Sequence, residues 1–550
     1  MKKILALILC VVMAFSLLSA CGGEGGKVNN TDANGKVTLT IGIPKHTSVS
    51  DYDNNHYTKW LEEKTGYEIK FQFFATGAGD YKTQMSTMVA GNVELPDIMM
   101  GFDLGSDLYN RYGSDGIFVD LADLFNDREK SAIWWEQFEK LDKEYADNIW
   151  RRMHTTDGSE AIYAFPEIQQ STIDVMSYTP WINQQWLDYL QLEMPTDPDS
   201  LYNVLVAFRD KDPNQNGLPD EIPLIGTAGN LSGNAINWII NMFIYSDLST
   251  NFNVDENGKL YSPYREDAYR EALKYIAKLY KEGLLSPLTL TATPQEIRQM
   301  VCPSEGGVQI AGIAVTHLTV GFVEGHTGIL SYEPVPLWGN AIVSENQNYY
   351  STFITKDCEN VEAAWKLLMT MCTEESAIIQ RYGIQGENWD YAPEGSTSIM
   401  GNDAVIRVYN DVATTIGSEN WRNVEATFLF NAEGEGNQAV PEEETEVRTH
   451  KYELFNKALN NYAQQMENHN PDKALVCPLL VWPDEYKEEV PYARDDCRSY
   501  ITRARTDFIT GEKNINDDGD WQDYLKELDE LGFDRVLFYS QAIYEETISQ

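Results

Sequence analysis

The chain has 550 residues, which is too long for one hydrophobic core and favours two or more domains. Its composition, with 43% hydrophobic and 12% aromatic residues, is typical of a folded protein. The formal net charge of −43 would repel polyphosphate backbones, which argues against a nucleic-acid partner and favours solubility as the role of the acidity.

The N-terminus has the features of an export signal. Lys2 and Lys3 precede an apolar run over residues 4–18, which has the length of a signal-peptide core and is shorter than the roughly twenty residues that span a bilayer. Small residues then lead directly to Cys21, and this arrangement resembles a bacterial lipobox. The resemblance implies that residues 1–20 are removed as a signal peptide and that Cys21 is lipidated. The attached lipid is expected to include a palmitate chain. We therefore expect a protein anchored by lipid at the extracellular face of the cell membrane.

Residues 21–36 follow the lipidation motif and are rich in Gly, Asn and Asp. After Cys21 their only apolar side chains are Val28 and Ala33. A segment of this composition cannot offset the entropy of ordering, so we predict a flexible tether with a reach of roughly 20 Å.

The cysteines do not indicate a metal site or a disulfide framework. Five remain beyond Cys21, with wide spacings and no CxxC pair, and an odd number favours buried free thiols. They are Cys302, Cys358, Cys372, Cys477 and Cys497. A bridge between Cys477 and Cys497 stays open at this point.

Strands and helices alternate after the tether. Residues 37–44 and 67–73 alternate apolar and polar side chains as strands do, and 95–100 reads as a buried strand. Between them, one helix ends at Gly66 and another covers 80–90. This order predicts a parallel α/β sheet, and ligands gather at the carboxyl ends of the strands of such sheets.

The ordered set of motifs resembles the extracellular solute-binding proteins of sugar-type ABC importers. The lipobox is followed by Glu-Lys-Thr-Gly at 63–66 and Pro-Asp-Ile-Met at 96–99. Further matching segments lie at 161–166, 186–195, 269–283, 307–312 and 381–389. In the last of these, Gln385 stands where a glutamate is common, which puts a charge-based ligand role there in doubt. The ordered set covers roughly residues 15 to 390, and it resembles the large branch with a calcium loop, similar to alginate-oligosaccharide-binding proteins.

This family implies a two-lobed α/β fold of the type II periplasmic-binding-protein kind, with three chain crossings and a ligand cleft that closes by a hinge motion. We expect an N-lobe of residues 37–165 plus 307–350 and a C-lobe of residues 166–306 plus 351–550. The family also implies an oligosaccharide ligand and the permease subunits of an importer as partners. We expect a monomer.

Residues 212–221 contain a calcium-type motif. Oxygen-bearing side chains occupy loop positions 1, 3, 5 and 9 and glycine occupies position 6, as in an EF-hand. Position 12 is Pro223, which cannot ligate, but Glu221 at position 10 offers a carboxylate. An Asn-Gly turn with solvated acids would give the same pattern. The family resemblance implies a structural Ca²⁺ held by Asp212, Asn214, Asn216, the Leu218 carbonyl, Asp220 and Glu221.

Catalytic motifs are absent from the sequence. There is no H-E-x-x-H, no G-x-S-x-G and no Walker loop. With 85 acidic residues, carboxylate pairs arise by chance, so they do not indicate a glycoside hydrolase. We predict a binding protein and no enzyme.

The aromatic content, with 13 Trp and 31 Tyr, suits a carbohydrate cleft, in which aromatic faces cover sugar C–H faces and carboxylates or amides bind hydroxyls. Aromatic residues more often fill cores, so candidates are taken from loops after strands or crossings. They are Trp238, Trp338 and Trp389 as platforms, with His46, Asp103 and Glu167 as polar partners.

The sequence thus predicts a lipid-anchored receptor that captures an oligosaccharide and delivers it to an ABC importer. Two alternatives remain. One is a receptor for peptides or another small solute, and the other is a sensory or adhesive lipoprotein on the same fold.

Overall fold

A computed structural model describes most of the chain between residues 36 and 549. The described residues are 36–141, 143–154, 160–169, 179–227, 233–246, 251–322, 326–336, 349–398, 403–409, 412, 416–421, 428–429, 438–439, 446–469, 477, 480 and 490–549. The predicted signal peptide, Cys21, the tether up to residue 35 and Trp338 lie outside them. Within the described part, no helix is both long and apolar enough to cross a membrane.

The strands are short and number fourteen within the described residues. They are β1 (Thr38–Pro44), β2 (Glu68–Phe74), β3 (Ile98–Met100), β4 (Phe165–Gln169), β5 (Pro180–Asn183), β6 (Ile222–Ile225), β7 (Asn253–Val254), β8 (Leu260–Tyr261), β9 (Ala311–Val315), β10 (Tyr332–Pro334), β11 (Tyr349–Ile354), β12 (Trp389–Tyr391), β13 (Ile406–Val408) and β14 (Phe428–Leu429).

Helices separate most of the strands. They are α1 (His56–Thr65), α2 (Ala78–Ala90), α3 (Gly105–Ser114), α4 (Ala122–Asn126), α5 (Ala132–Phe138), α6 (Lys143–Met153), α7 (Gln184–Leu190), α8 (Pro198–Asp210), α9 (Ala235–Ile240), α10 (Asp267–Lys281), α11 (Pro294–Val301), α12 (Leu318–Gly321), α13 (Val361–Met371), α14 (Glu374–Tyr382), α15 (Glu446–His469), α16 (Pro491–Thr510), α17 (Asp518–Glu530) and α18 (Phe533–Ser549).

The beginning of the chain folds as its sequence predicts. β1 pairs in parallel with β2 and with β3, and α1 and α2 lie between these strands in the sequence. Helix α1 ends at Gly66, which has a φ of 79° and accommodates the left-handed conformation that a side chain disfavours. Its backbone N–H donates to the Glu62 carbonyl and so satisfies one of the last carbonyls of the helix.

The strands form two main sheets, one in each lobe. The first has six strands in the order β14-β4-β11-β3-β1-β2, and the second has four in the order β10-β5-β9-β6. Hydrophobic side chains cover the first sheet in two clusters, centred on residues such as Trp134 and Phe102. Two further clusters, around Phe208 and Trp181, belong to the second sheet. The predicted two-lobed α/β fold is therefore confirmed.

The strand pairing corrects the predicted lobe boundaries. β9 pairs with β5 and β6, so residues 311–315 belong to the second sheet and not to the N-lobe. β10 pairs with β5 in the same sheet. Conversely, β4 runs to Gln169 in the first sheet, and β11 with helices α13 and α14 belongs to the first lobe. A strand's own residues decide that it is a strand, whereas its neighbours decide which sheet it joins.

The C-terminal helices belong to the second lobe. Side chains of α16, α17 and α18 lie in one cluster with those of α8 and α10. Arg265 joins the two parts, because its two terminal nitrogens lie 2.8 Å from Asp529 and 2.9 Å from Asp534. The three helices after residue 490 therefore complete a core whose first contributing residue is Ile182.

The five described cysteines are buried and free. Cys477 and Cys497 are not bridged in this structure, which answers the question that the sequence left open. Burial raises the pKa of the Cys497 thiol to about 11, so the reactive thiolate is scarce at neutral pH.

Candidate ligand-binding site

One edge of the first sheet faces the chain crossings. β1, β2 and β3 are parallel, and β11 runs antiparallel to both β3 and β4, so β4 shares the direction of β1 to β3. The carboxyl ends of these four strands therefore lie at the same edge as the amino end of β11. The chain leaves this edge after β4 for the second sheet, and it returns to the edge at β11.

The second sheet has a matching edge. β5 begins there, and β9 and β10, both antiparallel to β5, end there. β6 is parallel to β9 and ends at the same edge. Each sheet thus turns its ligand-prone strand ends toward the crossings that join the two lobes.

His46 lies at the first edge, two residues after β1. Its backbone N–H donates to the Tyr52 hydroxyl at 3.0 Å, and its ring Nδ1 accepts from the Ser48 N–H at 3.1 Å. Because Nδ1 is the acceptor, the neutral ring carries its proton on Nε2. The half-buried imidazole is therefore held as a donor by the backbone of its own loop.

Asp103 and Glu167 lie on the same edge. Asp103 follows β3 with an exposed side chain, and its backbone is fixed because its N–H donates to the Tyr81 hydroxyl at 3.0 Å. Glu167 is half-buried in β4, where its backbone lies opposite Tyr349. The structure therefore brings all three predicted polar residues to one edge, and their contacts with a ligand remain a prediction.

The two described tryptophan candidates do not present an aromatic face. Trp389 is 1% exposed, and its indole N–H donates to the Gly383 carbonyl at 2.9 Å, so it closes a turn in the core of the first lobe. Trp238 is 4% exposed in α9 and packs in the core of the second lobe. Burial of apolar surface explains both positions, and a role of these two residues as ligand platforms stays a prediction.

Phe73, which lies one residue before the end of β2, is a candidate that the sequence did not suggest. It is 39% exposed, and the Lys45 ammonium lies 5.2 Å from the centroid of its ring. The Lys45 N–H also donates to the Phe74 carbonyl at 3.1 Å. Strict alternation over β2 predicts Phe73 on the core-facing side, but the pattern reverses at the end of the strand, where Phe73 is exposed and Phe74 is buried.

The second edge contributes buried polar residues that the sequence analysis also missed. Thr316 follows β9, and its carbonyl accepts from the Trp181 indole at 2.8 Å. Asn234 caps α9 by accepting from the Asn237 N–H at 2.8 Å. The first bond fixes the end of β9 and the second fixes the start of α9. No pattern in the sequence distinguishes such residues from ordinary turn formers.

The loop at 212–220 folds around its acidic side chains. The Asp212 carboxylate accepts from the backbone N–H groups of Asn216 and Gly217, both at 3.1 Å. Asp220 accepts from the side-chain amides of Asn214 and Asn216 at 3.0 Å. The φ of Gly217 is 76°, as the sharp turn of a calcium loop requires.

Glu221 supports the fit of a cation to this loop. Its Oε1 atom is buried and has no hydrogen-bond partner among the described residues. Burial, followed by the nearby charges of Asp220 and Asp212, raises the pKa of its carboxyl group. The loop thus gathers hard oxygens, and one carboxylate oxygen of Glu221 has no partner among the described residues. Yet no group of three or more His, Cys, Asp or Glu side chains in the described part of the chain is already arranged to hold a metal.

Comparisons with known proteins agree with this architecture. The model of the family described as "Bacterial extracellular solute-binding protein" matches residues 45–378. Lipoprotein LipO of Bacillus subtilis is 22% identical, over 97% of this chain and 94% of its own. The fructooligosaccharide ABC transporter substrate-binding protein FusA of Streptococcus pneumoniae is 24% identical, over 82% of this chain and 81% of its own.

Solved structures show the same fold. FusA in complex with kestose superimposes with a TM-score of 0.73 at 20% identity, covering 93% of this chain and 99% of FusA. The alginate-binding protein AlgQ2, solved without calcium ion, gives a TM-score of 0.65 at 19% identity, covering 92% and 98% of the two chains. A further FusA structure is of an EF-hand mutant.

Proposed function

Because this chain belongs to the bacterial extracellular solute-binding protein family, we propose that it captures an oligosaccharide between its lobes and delivers it to the permease subunits of an ABC importer. The observation that carries the proposal is the pair of strand edges, both turned toward the chain crossings. A ligand held between them would contact both lobes at once, and its binding energy would favour the closed form that an importer distinguishes from the open one.

The chemistry of the first edge suits a sugar. Sugars carry hydroxyl groups that both donate and accept, and Asp103 and Glu167 supply acceptors while His46 Nε2 supplies a donor. The relatives point the same way: FusA is named for fructooligosaccharides and AlgQ2 for alginate. Both are named as binding proteins, which supports capture without chemical change of the ligand.

Lipid anchoring completes the proposal. The lipobox-like sequence before Cys21 supports acylation of that cysteine, and the similarity to a protein named as a lipoprotein supports the same location. The segment at 21–36 would then tether a monomeric receptor to the extracellular face of the membrane. Trp338 remains a proposed platform for the ligand.

A structural Ca²⁺ at the loop is the proposed cofactor. Asp212, Asn214, Asn216, the Leu218 carbonyl, Asp220 and Glu221 would hold it, and the ion would neutralise the acids that now crowd Glu221. Since β6 begins at Ile222, the ion would pin the loop directly before a strand of the second sheet.

A thermal-shift screen of the purified protein tests the function. We expect an oligosaccharide from a panel of fructans, galacturonides and alginate fragments to raise the melting temperature by about 5 °C at a hundredfold excess over Kd, because a ligand that binds only the native state stabilises it. Peptides of similar size serve as the control. A shift with peptides and none with any sugar would reverse the proposed ligand class.

Glu221→Gln is expected to act in opposite directions with and without calcium. In EDTA the ionised Glu221 opposes folding at neutral pH, because its raised pKa means that the native state favours the protonated form. The variant should therefore melt higher than wild type in EDTA, and this difference should vanish as the pH falls and Glu221 takes up its proton. In calcium the variant should bind the ion at least about tenfold more weakly than wild type does.

Glu256→Gln is the matched control, since Glu256 is an exposed carboxylate in the turn between β7 and β8. It should change neither the melting temperature nor the response to calcium. If calcium raises the melting temperature of wild type and Glu221→Gln equally, Glu221 is not a ligand. If calcium has no effect on wild type, the proposed site is wrong.

A further inference from the structure

We propose that Phe73 and Lys45 form a stacking subsite for one sugar ring at the end of the first edge farthest from the chain crossings, so that the ligand extends along this edge beyond a disaccharide. We call this pair the Phe73 shelf. The inference rests on the proposed function, because it assigns a place and a minimum length to the oligosaccharide of that same site.

The shelf is an exposed aromatic surface at a strand end. Phe73 is 39% exposed, whereas Phe74 beside it is 3% exposed and packs in the core. Phe73 is the last residue but one of β2, so it lies at the carboxyl end of this strand, which is part of the first edge. Aromatic faces of this kind cover the apolar C–H faces of sugar rings.

The ring is held in place by other aromatic residues. Tyr52 lies 5.1 Å from Phe73, and Phe71 lies 6.1 Å from it with the two planes only 7° apart. Tyr52 is 3% exposed and its hydroxyl accepts from the His46 N–H, which joins the shelf to the polar loop after β1. A ring fixed in this way loses little conformational freedom when a ligand stacks on it.

Lys45 supplies the polar part of the shelf. Its side chain is exposed and its ammonium lies 5.2 Å from the Phe73 centroid, while its backbone N–H is bonded to the Phe74 carbonyl. The ammonium can therefore donate to a hydroxyl or a carboxylate of a sugar that stacks on the ring. Aromatic face and cation together fit one sugar unit.

The position of the shelf sets the length. β2 is the outermost strand of the first sheet. Three strand spacings separate it from β11, where the chain returns from the second lobe. At the usual spacing of neighbouring strands this is about 14 Å. A ligand that reaches the crossings and the shelf together is therefore longer than two sugar rings.

The test is calorimetric titration of the purified protein with two homologous series, sucrose, kestose and nystose on the one hand and di-, tri- and tetragalacturonate on the other. We expect wild type to bind the longest member of one series most tightly. Phe73→Ala should weaken binding of that tetrasaccharide about tenfold and leave binding of the disaccharide unchanged. Phe73→Trp keeps an aromatic ring, so it should retain the wild-type preference for the longest member of the series.

Phe538→Ala is the matched control, because Phe538 is 70% exposed on α18, in the second lobe. It should bind every member as wild type does. If Phe73→Ala binds the whole series as tightly as wild type, the shelf is not a subsite although the proposed function stands. If Phe73→Ala weakens the disaccharide and the tetrasaccharide equally, the assigned position is wrong. If wild type binds no sugar, the proposed function fails and this inference fails with it.

Discussion

Trp134→Ala is expected to lower the free energy of unfolding of the first lobe by about 3–5 kcal/mol. Trp134 is fully buried in α5. Its ring is stacked on Phe138 at 4.4 Å and meets the edge of Phe125 at 4.9 Å. Truncation removes these contacts and leaves a cavity that the surrounding helices can fill only in part. Thermal unfolding should show a loss of about 10 °C.

Trp134→Phe separates packing from hydrogen bonding. The Trp134 indole nitrogen has no hydrogen-bond partner among the described residues, so a phenyl ring keeps much of the contact and loses no bond. It should cost much less than the alanine variant. The matched comparison is Trp421→Phe, because the Trp421 indole donates to the Thr58 hydroxyl at 2.7 Å. That variant loses a hydrogen bond as well as contact area, so it should cost more stability than Trp134→Phe. An equal loss for alanine and phenylalanine at position 134 would contradict the packing account.

Gly312→Ala is expected to destabilise the second lobe by about 1–3 kcal/mol. Gly312 lies in β9, at the centre of the four-stranded sheet. A Cβ atom there would lie 2.3 Å from the Phe208 ring and 3.0 Å from the Pro223 carbonyl oxygen. The ring belongs to the packed core under α8, and the oxygen belongs to the neighbouring strand, so neither can move without cost.

Gly79→Ala is the control for Gly312→Ala. Gly79 lies in α2, and a Cβ atom there would meet no heavy atom within 4 Å. Alanine favours a helix by about 0.5–1 kcal/mol over glycine, so this variant should be neutral or slightly stabilised. A wild-type melting curve for Gly312→Ala would mean that the Phe208 ring is free to turn away.

Scanning calorimetry can show whether the two lobes unfold separately. Trp134 and Gly312 contact different clusters of buried side chains, one in each lobe. If the lobes unfold in two transitions, each variant should shift one of them and leave the other in place. The shifted transition of Gly312→Ala should include α16 to α18, since these helices share the cluster with Phe208.

The fold of the first hundred residues could be predicted because its signals are local. Alternation, a glycine at the end of α1 and a buried run at 95–100 gave the order of β1, α1, β2, α2 and β3 correctly. Alternation of this kind is decided by which side of a strand is buried, and it needs no knowledge of distant residues.

Sheet membership and the aromatic platforms could not be predicted in this way. β9 has only small and branched apolar residues, and nothing in them specifies β5 and β6 as neighbours. Trp389 and Phe73 show the same difficulty for the site. Trp389, in a segment that resembles a ligand loop of the family, proved to be core, whereas Phe73, in a regular strand, proved to be exposed. Burial depends on what covers a residue, and that cover comes from elsewhere in the chain.

The late position of the helices that complete the second lobe has a consequence for biogenesis. Trp521 and Tyr544 share one cluster with Ile182, so the ribosome must translate more than three hundred and fifty codons between the first and the last of these contributors. Domains usually fold as units while synthesis proceeds. Until α16 to α18 have been made, the earlier part of this cluster lacks the side chains that complete it, which favours a second lobe that reaches its final packing only when synthesis is finished.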